Sequence, residues 1–449
     1  MHLARLAVPV LFALLLGVLA VRRAAVTDNS DFDGFHRSGA AVLAGEDPTS
    51  DKAVRRYLPC FPLMMAPLGA LPLPVAAAMW YVLGAASCWG TWRELGRLLG
   101  SGRGRALALT AGLTAPFWID GLVMGQVNPL LVWAMTRALR CLAEGKDAAA
   151  GALLGFASAL KVTPALLVVY AAWRLRGRAV GAAAAVFLLL AALAPAAAWG
   201  PARTLEMYRS WVDEALVGGV AGGDAESGRS VRYNNQSVQA WCARLLTDVD
   251  AGTRKGRFSV NLAALDPATA RGTARAILAG LVLALLAAWG RPGRAPARGT
   301  RSEAPVAAAG EPPAGGDRSP LPALPTGPDA ADPERKIASA PEASRLAAER
   351  ALTAEGALAV AGTVLLSPIA WTSHFQALAP AVALLARRAL APGPGCTAAR
   401  VALAILAATL LGMASPWSRA VGCPLVGAVA AWLVAAALHR RGLLDGRSA

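Results

Sequence analysis

The chain has 449 residues, of which 56% are hydrophobic and only 16% are charged, and its mean hydropathy is +0.46. This composition is too apolar for a single soluble core and too long for a single membrane anchor, so it predicts an integral membrane protein with several spans. The formal net charge of +16 does not indicate nucleic-acid binding, because the basic residues stand in short runs between apolar stretches, as in cytoplasmic loops.

Apolar stretches near the length that crosses a bilayer recur from one end of the chain to the other. They predict an all-α, polytopic bundle of about 10 to 12 spans. The first stretch, MHLARLAVPVLFALLLGVLAV, could be a secretory signal, but it lacks a clear small-residue cleavage site and further spans follow. We interpret it as a retained first helix. The predicted spans begin near Leu6, Leu73, Ala106, Val127, Ala148, Ala165, Val180, Ala274, Ala354, Gln376, Val401 and Val421.

The basic residues of the short loops predict the orientation. If these runs are cytoplasmic, the spans alternate consistently and both termini lie inside. Arg22 and Arg23 oppose this, because they would lie outside, but the summed bias outweighs them. The cytoplasmic runs are Arg93, Arg97, Arg103 and Arg105; Arg137, Arg140 and Lys146; Arg174, Arg176 and Arg178; Arg291 and Arg294; Arg387 and Arg388; and Arg440 and Arg441.

The same topology divides the chain into three predicted parts. Residues 1–290 form a transmembrane core with outer loops at about 27–62 and 200–271. Residues 291–349, rich in Pro, Ala, Gly and Arg and without periodicity, form a disordered cytoplasmic linker. Residues 350–449 add further transmembrane helices to the same core.

Cysteine usage and small-residue spacing give two further predictions. The six cysteines lie far apart, with no C-x-x-C pair and no neighbouring histidine pair. Neither a metal site nor a disulfide framework is therefore expected, and no cofactor is predicted. G-A-L-L-G at Gly151 to Gly155 is a small-xxx-small pair, which predicts close packing of two helices.

The first outer loop places charged residues directly after a span. It reads TDNSDFDGFHRSGAAVLAGEDP and contains Asp31, Asp33 and Arg37. A carboxylate held at the membrane surface could act as a general base on a hydroxyl, and Asp31 is the candidate. Asp33 and Arg37 are candidates for substrate binding. The alternative is that these are solvated loop residues and helix caps, since Asp31 or Asp33 could cap a short helix running to Leu43.

Polar residues also mark the outer ends of two interior spans. Gln126 and Asn128, in M-G-Q-V-N-P, carry amides that could bind a polar ligand or satisfy the backbone freed at a proline-broken helix. Lys161, in A-L-K-V-T-P, interrupts an apolar stretch just before Pro164. An ionisable residue at such a depth indicates function, and a lysine extending to the interface is the alternative.

Two later segments lie on the same predicted side. RYNNQSVQAW offers Arg232, Asn235 and Gln236, which could bind a phosphate or a sugar or form an ordinary turn. LLSPIAWTSHFQAL places His374 at the outer end of a late span, as a partner for a phosphate or hydroxyl or as a histidine bonded within the bundle. The common side of all these groups favours a site, because independent structural explanations do not require it.

These motifs occur in the order DFDGFHRSGAAVLAGEDP, YLPCFPLMMAPLGALP, MGQVNPLLVWA, GALLGFASALKVTPALLVVY, NNQSVQA and LLSPIAWTSHF. In that order the sequence resembles glycosyltransferase family 87, membrane enzymes of the C-type glycosyltransferase superfamily related to polyprenol-phosphate-mannose-dependent α-mannosyltransferases. The resemblance implies a lipid-phosphate sugar donor, an acceptor approached from the outer side, and inversion at the anomeric carbon.

The resemblance also implies roles for individual residues. Asp31 matches the aspartate of the family's D-F-x-x-Y motif, with Phe35 at the aromatic position, and so takes the role of general base. Lys161 matches the lysine of A-L-K-x-x-P. His374 matches the second histidine of a W-x-H-H pattern, whereas Ser373 replaces the first.

The sequence therefore predicts a glycosyltransferase of the cell membrane whose site faces the periplasmic or extracellular side. It would move a hexose, by resemblance mannose, from a polyprenyl phosphate to a glycolipid or glycan, with membrane lipid but no nucleic acid among its partners. A transporter or lipid-linked sugar flippase is the main alternative, although no internal repeat is visible and the polar groups favour one end of the bundle. A non-catalytic scaffold for envelope assembly is a third reading.

Overall fold

The computed structural model describes residues 2–26, 30–51, 53–100, 102–213, 231–252, 256–293, 340–367 and 370–444. The structure is 77% helix, and the described residues contain no strand, so the predicted all-α class is confirmed. The helices are α1 (His2–Val26), α2 (Asp31–Ala44), α3 (Cys60–Gly69), α4 (Leu73–Leu99), α5 (Gly104–Val123), α6 (Asn128–Ala143), α7 (Asp147–Leu160), α8 (Ala165–Trp173), α9 (Gly177–Trp199, with a π-helical turn at Leu189–Leu193), α10 (Pro201–Trp211), α11 (Val238–Leu246), α12 (Pro267–Trp289), α13 (Ala340–Leu365), α14 (Ala379–Leu390), α15 (Cys396–Leu411), α16 (Pro416–Ala420) and α17 (Cys423–Arg440), with 3₁₀ segments at Thr372–Leu378 and Gly412–Ala414.

Within the described residues, five helices are long and apolar enough to cross a membrane, namely α4, α5, α9, α12 and α17. A sixth span results if α1 from Val10 and α2, which meet at a bend of 56°, are one broken span. Large apolar side chains point outward from these helices, including Val82 on α4 and Leu283 on α12, at 64% and 66% exposed. Such outward apolar faces suit contact with lipid.

The prediction of about 10 to 12 spans is not confirmed. Several predicted spans correspond to helices such as α7 and α15, of 14 and 16 residues, which are shorter than a hydrocarbon core requires. The second outer loop was predicted to extend to residue 271, but α12 already begins at Pro267 because Asp266 caps it, accepting bonds from the backbone N–H groups of Ala268 and Thr269.

Helix α13 lies at the centre of the bundle. Four consecutive residues, Leu358 to Ala361, are 0% exposed, so this turn is buried on every side. The neighbours of α13 are α6, α8, α12, α14 and α17. Because α13 begins at Ala340, the last part of the predicted linker, 340–349, is helical and not disordered. Residues 294–339 of that linker lie outside the described residues.

Gly151 and Gly155 allow α7 to pack directly on the backbone of α9, which confirms the predicted close packing. A Cβ atom on Gly151 would meet the carbonyl oxygen of Ala179, and one on Gly155 would meet that of Ala183. The close contact between α7 and α9 therefore requires glycine, which has no side chain, at both positions.

We expect Gly155→Leu to lower the stability of the bundle, because the new side chain has no space between α7 and α9. Overpacking of this kind costs about 1–3 kcal/mol. Thermal unfolding in detergent measures the effect. Gly112→Leu on α5 is the matched control, because no atom lies within 4 Å of the Cβ position there. Equal melting temperatures for the two variants would contradict the close packing.

Ion pairs hold several of the basic residues that were predicted to be cytoplasmic at one end of the bundle. Glu94 near the end of α4 pairs with Arg97 at 3.2 Å, with Arg137 at 3.4 Å, and with Arg140. Past α8, Arg176 pairs with Asp147 at the start of α7 at 3.4 Å. Because consecutive helices run in opposite directions, the turn between α5 and α6 and the break between α7 and α8 both lie at the other end.

Candidate active site

The first element of the candidate site is the N-terminus of α2. Ser30 caps this helix, and its side chain accepts a hydrogen bond from the backbone N–H of Phe32 at 3.1 Å. The Ser30 hydroxyl and the backbone N–H of Asp31 both donate to the carbonyl oxygen of Met124, at 3.2 and 3.0 Å. Asp31 is thereby fixed to the turn between α5 and α6.

That turn needs a glycine where it meets α2. Gly125 has φ +67°, in the left-handed region, and a Cβ atom there would lie 2.6 Å from the Cβ of Phe32. Trp80 of α4 donates its indole N–H to the carbonyl of Gly125 at 2.9 Å and stacks on Phe32, with ring centroids 5.6 Å apart. These contacts hold the backbone of Asp31 rigidly in place.

Asp31 lies outside the five long apolar helices and is surrounded by charged groups. Burial raises the pKa of its carboxyl to about 6, the positive charge of Lys161 opposes that rise, and the negative charge of Asp120 adds to it. A carboxylate with a pKa in this range can accept a proton near neutral pH more readily than an ordinary aspartate.

Lys161 lies at the break between α7 and α8. Its backbone is extended, with φ −156° and ψ 134°, because the helix ends at Leu160 before Pro164. Its ammonium donates to Oδ1 of Asn128 at 3.4 Å and lies 3.0 Å from Nε2 of His374. Three segments that are distant in the sequence meet at this point.

The contacts of His374 fix the position of its proton. Nδ1 accepts from the backbone N–H of Trp371 at 3.2 Å, so the proton of the neutral ring is on Nε2. Nε2–H and the ammonium of Lys161 are then two donors that face each other. An anionic oxygen beside them could accept from both. The pair therefore suits the binding of a phosphate.

Asn128 connects the turn after α5 with the 3₁₀ segment that carries His374. Its Nδ2 lies 3.3 Å from Oε1 of Gln126 and 3.3 Å from the hydroxyl oxygen of Ser373. The predicted amides of Gln126 and Asn128 thus both lie at the cluster that Asn128, Lys161 and His374 form. Ser373, which replaces the first histidine of the resembled W-x-H-H pattern, accepts a bond there and leaves His374 as the imidazole beside Lys161.

Two residues of this cluster were not predicted from the sequence. Asp120 in α5 adds negative charge near Asp31, and its carboxylate accepts a hydrogen bond from the backbone N–H of Ser373. Tyr57 lies close enough to Asp31 to interact with its charge. The signal for Asp120 was present, because an ionisable residue in an apolar helix one turn before Met124 indicates function.

Asp33, in the first turn of α2, and Arg37, one turn further along, face the loop that follows this helix. Arg37 pairs with Asp33 at 2.5 Å and donates from Nε and Nη2 to Oδ2 of Asp51, at 3.0 and 2.8 Å. Asp33 is only 1% exposed. These contacts hold the 45–58 loop on α2, so a role of Asp33 and Arg37 in binding substrate stays a prediction.

The turn at 232–236 is joined to the backbone just before the His374 segment. Oδ1 of Asn235 accepts from the N–H of Ala370 at 3.1 Å, and Nε2 of Gln236 donates to the carbonyl of Arg419 at 2.8 Å. The buried Arg244 donates to the carbonyls of Arg232 and Asn235, at 2.9 and 2.7 Å. The amides of Asn235 and Gln236 therefore position this segment, and ligand binding by them and by the Arg232 side chain stays a prediction.

A cavity of about 30 Å³ adjoins the cluster, lined among others by Asn128, Lys161 and His374. This is room for about two water molecules, not for a sugar. Among the described residues, no group of three or more His, Cys, Asp or Glu side chains could hold a metal ion.

Comparison with known proteins identifies one family. The model described as glycosyltransferase family 87 matches residues 56–308. This range contains Gln126, Asn128 and Lys161, whereas Asp31 and His374 lie outside it. No curated protein and no solved structure matches the chain.

Proposed function

The chain belongs to glycosyltransferase family 87 and is a glycosyltransferase, and from this premise we propose that it moves a hexose, mannose by resemblance, from a polyprenyl phosphate to a glycolipid or glycan acceptor. The predicted family resemblance is confirmed at the level of the family. The observation that carries the proposal is that Lys161 lies 3.0 Å from Nε2 of His374 and close enough to Asp31 for their charges to interact, at one end of an apolar helical bundle.

The proposed chemistry is a single displacement. The acceptor hydroxyl attacks the anomeric carbon while its proton passes to the carboxylate of Asp31. The bond between the anomeric carbon and the phosphate oxygen breaks, and its electron pair leaves with the polyprenyl phosphate. Lys161 and the Nε2–H of His374 stabilise the charge on that oxygen. Attack opposite the leaving group inverts the anomeric carbon.

We further propose that the reaction takes place on the non-cytoplasmic side of the cell membrane, in a C-type fold of about 10 to 12 spans. The ion-paired basic residues at the opposite end of the bundle support this side, because cytoplasmic loops are enriched in lysine and arginine. The shorter apolar helices α3, α7 and α15 supply additional candidates for spans. A lipid-linked donor suits such a protein, because the lipid partitions into the bilayer.

A transporter or lipid-linked sugar flippase is the alternative function. Transporters commonly place ionisable groups on broken helices near the centre of the membrane, within repeated halves. Lys161, at the break between α7 and α8, is a feature of this kind. Asp31 at a capped helix start and the adjacent turn after α5 favour a site at one end of the bundle.

The proposal is tested by supplying membranes that contain the wild-type protein with radiolabelled polyprenyl-phosphate mannose and extracted host lipids. We expect labelled glycolipid or glycan product. Movement of the donor across proteoliposomes without any sugar transfer by folded protein would favour the transporter instead.

A further inference from the structure

A fully buried arginine lies on α11, outside the cluster that Asn128, Lys161 and His374 form. The side chain of Arg244 is 0% exposed. Its partners are carbonyl oxygens, and among the described residues no carboxylate pairs with it. Burial lowers the pKa of its guanidinium to about 10, so the group stays charged at neutral pH.

Stability alone does not account for this buried cation. Taking a charge out of water is costly, and well-packed apolar side chains often stabilise a fold as well as buried ionic groups do. One nitrogen of Arg244, Nη2, is buried without a hydrogen-bond partner in the part of the chain that the structure describes. A guanidinium nevertheless offers several N–H donors in a fixed planar arrangement, which no apolar residue supplies. The acceptors of those donors therefore indicate the role of the residue.

The guanidinium of Arg244 joins the turn at 232–236 to a segment far from it in the sequence. Nη1 donates to the carbonyls of Arg232 and Asn235, at 2.9 and 2.7 Å. Nε donates to the carbonyl of Ala420, at the end of α16, at 2.9 Å. One buried side chain thus fixes the backbone of the turn against α16.

The turn at 232–236 bonds both backbone groups of Ala370. Oδ1 of Asn235 accepts from the N–H of Ala370 at 3.1 Å. The backbone N–H of Gln236 donates to the carbonyl of Ala370 at 2.6 Å. Because Arg244 bonds the carbonyl of Asn235, the position of Ala370 depends on the guanidinium.

Ala370 directly precedes the residue that orients the imidazole of His374. The backbone N–H of Trp371 donates to Nδ1 of His374 at 3.2 Å. Nε2 of the same ring lies 3.0 Å from the ammonium of Lys161. A continuous series of hydrogen-bonded and adjacent groups therefore leads from α11 to the ring nitrogen beside Lys161.

We propose that Arg244 is a positioning residue for the departure of the phosphate. By holding the turn at 232–236 it fixes Ala370, and it thereby keeps the Nε2–H of His374 directed at the phosphate oxygen beside Lys161. This inference rests on the proposed transferase function, which supplies the reaction that the imidazole serves. The hydrogen bonds from α11 to the imidazole do not depend on which sugar is moved.

The first test observes His374 itself and needs no substrate. Magic-angle-spinning NMR on full-length protein with ¹⁵N-labelled histidine, in lipid bilayers, shows which ring nitrogen carries the proton. The spectrum of His374→Gln identifies the His374 signals among those of the four histidines. We expect the wild type to hold the proton on Nε2 at neutral pH. Arg244→Gln should show a mixture of the two tautomers, because Nδ1 loses its fixed donor.

Arg400→Gln is the matched control for Arg244→Gln. Nε of Arg400 donates to the carbonyl of Ala389 at 2.9 Å, so this variant also removes a guanidinium from a backbone carbonyl. Ala389 lies in the last turn of α14, at the opposite end of that helix from the 3₁₀ segment of His374. The His374 signals of Arg400→Gln should therefore match those of the wild type.

The second test determines whether Arg244 acts through His374. Arg244→Gln should lower kcat for sugar transfer by about ten- to a hundredfold, as a small misplacement of a group that acts on the reacting atoms does. The KM for the acceptor should not change. In a His374→Gln background the same change should have no further effect, because the group that Arg244 positions is already absent. Arg244→Lys keeps the charge and some donors, so it should recover part of the rate.

Two results would overturn the proposal: an unchanged His374 tautomer in folded Arg244→Gln, or an equal loss of transfer with and without His374. If Arg244→Gln does not fold, Asn235→Ala replaces it, because it removes the acceptor of the Ala370 N–H. That variant should show the same mixture of tautomers, and the wild-type tautomer in it would also overturn the proposal. Mixed tautomers in Arg244→Gln, when the wild type transfers no sugar, would keep the positioning of His374 and remove only the proposed function.

Discussion

We expect Asp31→Asn to lower the rate of sugar transfer by about a hundred- to ten-thousandfold, the range associated with a positioned general base. The amide of asparagine cannot take the proton of the acceptor hydroxyl. The backbone contacts that fix this residue remain, because the N–H that donates to Met124 and the capping hydroxyl of Ser30 are unchanged. The measurement is product formation in membranes with polyprenyl-phosphate mannose as the donor.

The matched control for Asp31→Asn is Asp147→Asn, which makes the same change at the opposite end of the bundle. It removes the ion pair with Arg176 but nothing at the candidate site. We expect Asp147→Asn to transfer sugar near the wild-type rate. The two variants should yield equal amounts of folded protein. Near-normal turnover by Asp31→Asn would exclude this residue as the base.

The pH profile supplies an independent check on the same residue. Because the pKa of Asp31 is raised to about 6, the base is ionised above that pH and protonated below it. Transfer by the wild type should therefore be constant near neutral pH and decline as the pH falls through about 6. The residual activity of Asp31→Asn should lack this decline, whereas a shared decline would place the titrating group elsewhere.

Much of the candidate site was predictable because its residues interrupt apolar stretches. Asp31, Asn128, Lys161 and His374 each stand beside a predicted span, and the alternation of spans places them on one side. Asp120 interrupts an apolar helix in the same way but was missed, and its contact with the backbone of Ser373 requires the packed bundle. Pairing between distant segments is not visible in local sequence patterns.

The role of the amide side chains at 234–236 could not be predicted from the sequence. Their residue types suit phosphate or sugar binding as well as they suit a turn. The structure uses Asn235 and Gln236 to hold the backbone at Ala370 and Arg419. Residue type alone does not distinguish these uses, because the partner of each amide depends on which segments the fold brings beside it.

The helical class could also be predicted, but the number of spans could not. Hydropathy identifies apolar stretches whether they face lipid or the centre of the bundle. Helix α13 is apolar enough to resemble a span, yet its turn Leu358 to Ala361 is buried on every side, and it carries Glu355, which pairs with Arg174 at 2.5 Å. Hydropathy alone therefore does not give the number of helices that cross the membrane.

We expect Lys161→Gln to lower transfer by about a hundred- to a thousandfold, the usual effect of removing one donor to a developing negative charge. The charge on the departing phosphate oxygen would then be met by His374 without the adjacent ammonium. Glutamine keeps a polar side chain beside Asn128, so the change removes charge more than it removes contact. Transfer from labelled donor measures the rate, and donor titration separates weaker binding from slower chemistry.

The structure offers a matched control for this change, because Lys146 lies at the opposite end of the bundle and pairs with Glu144 at 2.7 Å. Lys146→Gln should transfer sugar at the wild-type rate. Lys161→Arg keeps a cation near His374 and should retain more activity than Lys161→Gln, although its planar group places its donors differently. If Lys161→Gln and Lys146→Gln were equally active, the leaving phosphate would have to be stabilised without Lys161. The donor position would then have to be sought beside other cations of this end, such as Arg56, which lies near enough to Lys161 to oppose its charge.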